Sequence, residues 1–141
     1  MSDERWYEQI ESRVLTLVRY RMQRALNGKV SKTIKFTTDG ESDAKPYFPT
    51  CYMHALQSLE TGGDLEGKTV NAVIATFEVQ TYCRDRQECI LIMNEAAYQM
   101  KQLAFEATAM PIVSTTSGVA TGVARFRRTI GGGDIDIVGE E

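Results

Sequence analysis

A chain of 141 residues, 43% of them hydrophobic and 25% charged, has the size and balance of one globular domain, and excludes a disordered or fibrous protein. A net charge of −3, from 16 basic and 19 acidic residues mixed along the chain, argues against a dedicated nucleic-acid binder, which needs a basic stripe to neutralise phosphates. No apolar stretch approaches the roughly 20 residues that cross a bilayer, and the charged N-terminus does not read as a signal peptide, so the expectation is a soluble protein with no membrane partner.

The first element expected is a long helix over residues 3–26. Trp6, Ile10, Val14, Leu17, Val18, Met22 and Ala25 recur at three- and four-residue spacing and so share one face. Ser2 or Asp3 is placed to cap its start, and Asn27-Gly28 tolerates a left-handed stop. A strand over 33–38 follows, with Ile34 and Phe36 alternating against Lys35 and Thr37. A polar loop holds Asp39, Gly40, Glu41 and Asp43. The next strand spans about 47–56, and Pro49 marks it as an edge or as irregular at its start. Residues 58–69 read as a second loop, with Gly62-Gly63-Asp64 and Glu66-Gly67 as punctuation.

The strand over 70–82 is the longest expected. Val73, Ala75, Phe77 and Val79 form its inner face, while Thr76, Glu78 and Gln80 face water or a neighbour. Asp85-Arg86-Gln87-Glu88 has capping-box spacing and opens a second helix, striped by Cys89, Met93, Ala96, Ala97, Met100, Leu103 and Ala104. After Pro111 a short strand over 112–116, a tight turn at Ser117-Gly118 and a long strand over 119–130 are expected. In the last strand Phe126 and Ile130 alternate with Arg125, Arg127 and Thr129.

The expected architecture is therefore α+β, in the order α-β-β-β-α-β-β. It consists of a mainly antiparallel sheet with both helices on one face. Residues 1–130 form a single domain, and 131–141 a glycine-hinged tail. In that tail Ile135 and Ile137 alternate with Asp134 and Asp136, which suits either an arm that adds a strand to a neighbouring subunit or a disordered end.

The residues offer little chemistry. His54 is the sole histidine and stands in no metal-ligand spacing, so it reads as structural or surface. Cys51, Cys83 and Cys89 are odd in number with no CxxC pair, in keeping with a reducing cytoplasm during folding. Cys51 and Cys89 read as core. Cys83 lies at a strand-to-helix junction, where the helix dipole lowers a thiol's pKa, but no general base is placed to activate it. The glycine runs lack phosphate-loop spacing. No catalytic residue, cofactor site or metal site is expected, and the protein is read as no enzyme. The short clusters Arg19, Arg21, Arg24, Lys29 and Arg125, Arg127, Arg128 read as solvated or subunit-contacting faces.

The helix from Trp6 to Ala25 precedes a long strand ending Phe77-Glu78-Val79-Gln80-Thr81-Tyr82. The junction Cys83-Arg84-Asp85-Arg86-Gln87-Glu88 leads into a helix, and the arginine-rich strand Val123-Ala124-Arg125-Phe126-Arg127-Arg128 closes the fold. Over about residues 5–130 this arrangement resembles the bacteriophage tail terminator and tail completion family, the group of the lambda-type terminator. The resemblance implies a structural virion protein, a hexameric ring that caps the tail tube and joins tail to head. Its implied partners are further copies of itself, the tail tube protein and the head-tail connector or neck proteins. DNA would pass through a slightly acidic lumen without specific binding, and the protein would reside in the virion after assembly in the host cytoplasm. Candidate subunit, tube or neck contacts are Arg125, Arg127 and Arg128, the loop residues Asp39, Glu41, Asp43, Asp64 and Glu66, and Ile135 and Ile137 of the arm. The alternatives are another connector or head-completion protein of the neck, or a small cytoplasmic oligomeric enzyme or binding domain.

Overall fold

The computed structural model describes residues 6–37, 48–56, 59–61, 72–131 and 134. A 3-10 turn, Trp6–Gln9, leads into helix α1, Ile10–Leu26. The cap expected at Ser2 or Asp3 lies outside the described residues. Gln9 stands at the α-helical N-cap without a side-chain cap bond, and its carbonyl oxygen Oε1 instead accepts from Arg13 one turn on, at 3.1 Å. Ile10, Val14, Val18 and Met22 are buried at four-residue spacing as the sequence implies, and Leu15 and Leu26 join them. Leu17 and Ala25 are only half-buried, which centres the stripe slightly off the expected one. Gly28, at φ +79°, ends the helix in the left-handed region that glycine enters without penalty.

Four strands follow: β1, Lys35–Thr37; β2, Thr50–Ala55; β3, Leu59–Thr61; and β4, Ala72–Cys83. β1 runs parallel to β2, and every other pairing is antiparallel. Pro49 immediately precedes β2, and its carbonyl accepts from the Lys35 amide at 3.0 Å. The irregular start is thus the correct half of the expectation, because β1 lies beyond β2 and β2 is no edge. β3 falls within the segment expected as a loop. Three residues are too few to show alternation, and it is the register of Glu60 opposite Val73 on β4 that makes them a strand.

Helix α2, Arg86–Gln102, begins at Asp85, whose side chain accepts from the Gln87 amide at 3.1 Å. The expected capping box does not form, because Asp85 caps the Gln87 amide rather than that of Glu88. Glu88 does not reach back; it takes the Ser31 amide at 3.1 Å and the Ser31 hydroxyl at 3.2 Å, a tertiary partner invisible to local spacing. α2 lies across β4 and the last two strands, β5, Glu106–Thr116, and β6, Val119–Gly131, and also touches α1. Cys89, Ile92, Met93, Ala96 and Met100 form its buried stripe, while Ala104, expected in that stripe, is exposed just past the helix end. The close approach depends on Gly122 of β6, where a Cβ would overlap the Met93 side chain and press on Cys89 Sγ. Gly122→Ala is expected to destabilise the fold by about 1–3 kcal/mol, measured as a lower urea midpoint with an unchanged slope.

β5 is much longer than expected, with Pro111 inside it rather than before it. A proline cannot donate to a ladder, and an edge strand is where that is tolerated. β5 is such an edge: the sheet order is β1-β2-β4-β6-β5, with β3 also on β4. Its register slips between Ala107 and Ala109 and again between Ala109 and Ile112, which hides the strand from a period-two reading. Ser117 and Gly118, both at positive φ, make the expected two-residue turn.

The fold is the expected α+β, with the short β3 as an addition to the order. Val73, Ala75, Phe77 and Val79 line the helix-covered face as expected. Phe77 stands opposite Phe126 and takes the edge of Phe105 at 5.6 Å.

Candidate functional site

Strand alternation sends every second side chain of β2, β4 and β6 away from the helices. Direct pairing aligns His54, Glu78 and Arg125 in one row across three strands and Tyr52, Gln80 and Val123 in the next. Glu78 is the centre. One carboxylate oxygen lies 2.9 Å from His54 Nε2 and 2.7 Å from Gln80 Nε2; the other accepts from Arg125 Nε at 2.8 Å. The Tyr82 hydroxyl donates to Gln80 Oε1 at 2.6 Å, and the Tyr52 ring stacks on His54 at 4.4 Å.

Glu78, expected to face water or a neighbour, is only 5% exposed. It does point to the helix-free side, but its own partners enclose it. Burial alone pushes its carboxyl up; the hydrogen bonds from His54, Arg125 and Gln80, with the Arg125 charge, outweigh that and hold it below the ordinary carboxylate range. The Tyr82 hydroxyl is pushed up, by burial first and then by the Glu78 and Tyr52 charges. With both oxygens engaged by donors, Glu78 is suited to anchoring its neighbours and ill suited to taking a proton from a substrate.

Arg125 and Arg127 both project on this face, with side chains 54% and 56% exposed. Arg125 is pinned through Glu78. Arg127 has Glu106 of β5 at 3.6 Å, a loose surface pair worth little. Arg128 requires a correction. It points to the opposite face, where it donates to the Leu103 carbonyl at 2.7 Å and lies 3.5 Å from the Asp134 carboxylate. A cation at the C-terminal end of α2 satisfies a carbonyl that the helix leaves free, so Arg128 has a role within the fold. Asp134, expected on a free tail, is held by Arg128 and by the Gly131 amide at 2.8 Å. Asp39, Glu41, Asp43, Asp64, Glu66, Ile135 and Ile137 lie outside the described residues.

The three cysteines are buried and free. Burial drives the Cys51 thiol up to about 12, against the opposing Thr81 hydrogen bond and with help from Cys89. Cys83 is also raised, by its hydrogen bond with Cys89 and by burial. These are core thiols with no access to a substrate. Among the described residues no group of three or more His, Cys, Asp or Glu side chains is placed to hold a metal ion, and no helix is long and apolar enough to cross a membrane.

The other distinctive surface is β5. Its outer edge pairs with no strand among the described residues, and it carries Met110 and Ile112 at 67% and 72% exposure. Neither feature was legible beforehand. The row on Glu78 needs the strand register, and β5 needs the bulges that accommodate Pro111. No protein-family model matches the chain, and no curated protein shows significant similarity to it.

Proposed function

We propose that this protein is a ring-forming structural component of a phage particle, a tail terminator or tail completion protein that caps the tail tube and joins it to the neck. The observation that carries the reading is β5: an eleven-residue edge strand bearing large exposed apolar side chains. An edge that no strand among the described residues covers promotes uncontrolled association unless a partner pairs with it, and a protein that functions by assembly supplies that partner. The sheet face around Glu78 supports the same reading. Its polar groups are mutually satisfied and rigid, as suits a contact surface, and the α+β layout agrees with the resemblance in the sequence. On this reading the protein is no enzyme, has the tube and neck proteins as its partners, and lets DNA pass without specific contacts.

Light scattering after size exclusion tests the proposal. Six copies of a 15.8 kDa chain give about 95 kDa. A species of that mass is expected either in free solution or on addition of purified tail tubes, where the protein should cosediment with the tubes. A monomer that ignores tubes would sink the reading. Binding to isolated connector rings instead of tubes would favour a head-completion role with the same ring logic.

A further inference from the structure

The register slips of β5 all fall before Ile112, and from Ile112 to Thr116 its pairing with β6 is continuous. Thr116 and Val119 flank the two-residue turn and stand directly opposite each other, so they exchange both of their backbone bonds. Alternation along an antiparallel ladder then points the amides and carbonyls of Val113 and Thr115 away from β6, toward the outer edge. That edge pairs with no strand among the described residues. No residue from Ala107 to Ala124 is charged, so the edge lacks the lysine or glutamate that guards a strand against pairing. Ile112, Val113, Thr115 and Thr116 are β-branched, the side chains that favour extended backbone.

We infer that in the unassembled protein β5 pairs antiparallel with β5 of a second copy, about a two-fold axis at Ser114. The symmetry of the strand itself selects that occupant. Val113 of each copy meets Thr115 of the other, so every outward donor of the two residues finds an outward acceptor. Pro111 and Ser117 lie equally far from Ser114 on either side. The axis therefore sets Pro111, which has no amide to donate, against the second copy's turn, where the ladder ends. A two-fold axis also brings each side chain near its own copy, where like charges would repel. The uncharged run meets that condition. Ile112, 72% exposed, gains the second copy's Thr116 as its cross-strand neighbour. This contact goes beyond the ring reading and does not depend on it. A two-fold contact is isologous, whereas a simple ring closes head to tail, so the β5 pair covers the edge until assembly replaces it.

Ser114→Cys is the direct test. Ser114 is exposed, and opposed residues of a non-hydrogen-bonded pair lie about 4.5 Å apart at Cα, within disulfide reach. With oxidised glutathione the S114C protein is expected to form a disulfide-linked dimer, while the native cysteines, being buried, stay silent. Neither I112C nor T116C should link to itself, but the two mixed should link to each other. Light scattering of the wild type should read two copies, about 32 kDa from 15.8 kDa each. Thr115→Pro deletes one outward amide per copy and leaves the β6 ladder intact, so the dimer's Kd should rise about tenfold. A monomeric wild type would overturn the pairing, and so would I112C or T116C linking to itself as readily as S114C. Six copies without an S114C disulfide would keep the ring and remove the two-fold contact. An S114C dimer whose wild type ignores tail tubes would keep the contact and sink the ring.

Discussion

Phe77→Ala is expected to lower the free energy of unfolding by about 3–5 kcal/mol, a large part of the roughly 5–15 kcal/mol that holds a domain of this size. Phe77 is 1% exposed, sits opposite Phe126 in the central strand pair, and receives the Phe105 ring edge-on. The loss combines the transfer energy of the ring with a cavity that the neighbours cannot fill, since β4 and β6 are held by twelve successive register pairs. Urea unfolding followed by circular dichroism measures it. A loss below about 1 kcal/mol, the scale of a tolerated core swap, would mean that the sheet repacks around the site and that the Phe77–Phe126–Phe105 cluster is not the centre of the core.

The second large effect is expected at Glu78. Glu78→Gln keeps the shape and removes the charge, which weakens three charge-assisted hydrogen bonds, from His54, Gln80 and Arg125, and turns part of the amide toward donors it cannot accept from. The expected cost at neutral pH is about 1.5–3 kcal/mol, with the exposed Arg125 side limiting the larger penalties seen for fully buried pairs. The pH dependence gives the test its sign. Folding lowers the Glu78 carboxyl below its unfolded value, so its contribution is fully present above the unfolded value of about 4.3 and is lost as pH falls through the folded one. The wild-type advantage over the Gln variant should therefore shrink steadily as acid is added below about pH 4. A difference that stayed constant through that range would show that Glu78 acts by shape and not by charge. Arg125→Glu would bring a second carboxylate against Glu78, so a charge reversal meant to probe assembly belongs at Arg127 instead.

Much of the fold was legible from periodicity. Ile10, Val14, Val18 and Met22 repeat every four residues, and Val73, Ala75, Phe77 and Val79 every two, because the burying face must recur with the period of the backbone. Asp85 at the start of α2 and Ser117-Gly118 between the last strands were readable from side-chain and backbone preferences that act within a few residues. Arg125 and Arg127 were rightly placed on an outward face of the last strand, whereas Arg128, next in sequence, falls on the other side by the same alternation.

What only the tertiary structure decided are the relations between distant segments. Glu88 had two available partners, the local amide of the capping box and Ser31, 57 residues away, and no local rule ranks them. β3 is a strand because β4 passes beside it. β5 extends back through Pro111 because it lies at an edge, where a missing amide costs no ladder bond. Glu78 is buried because strand pairing brings His54, 24 residues away, and Arg125, 47 residues away, to the same row. Local preferences set which face a residue takes. Which residues share that face is a matter of register, and register is set by pairing of the whole sheet.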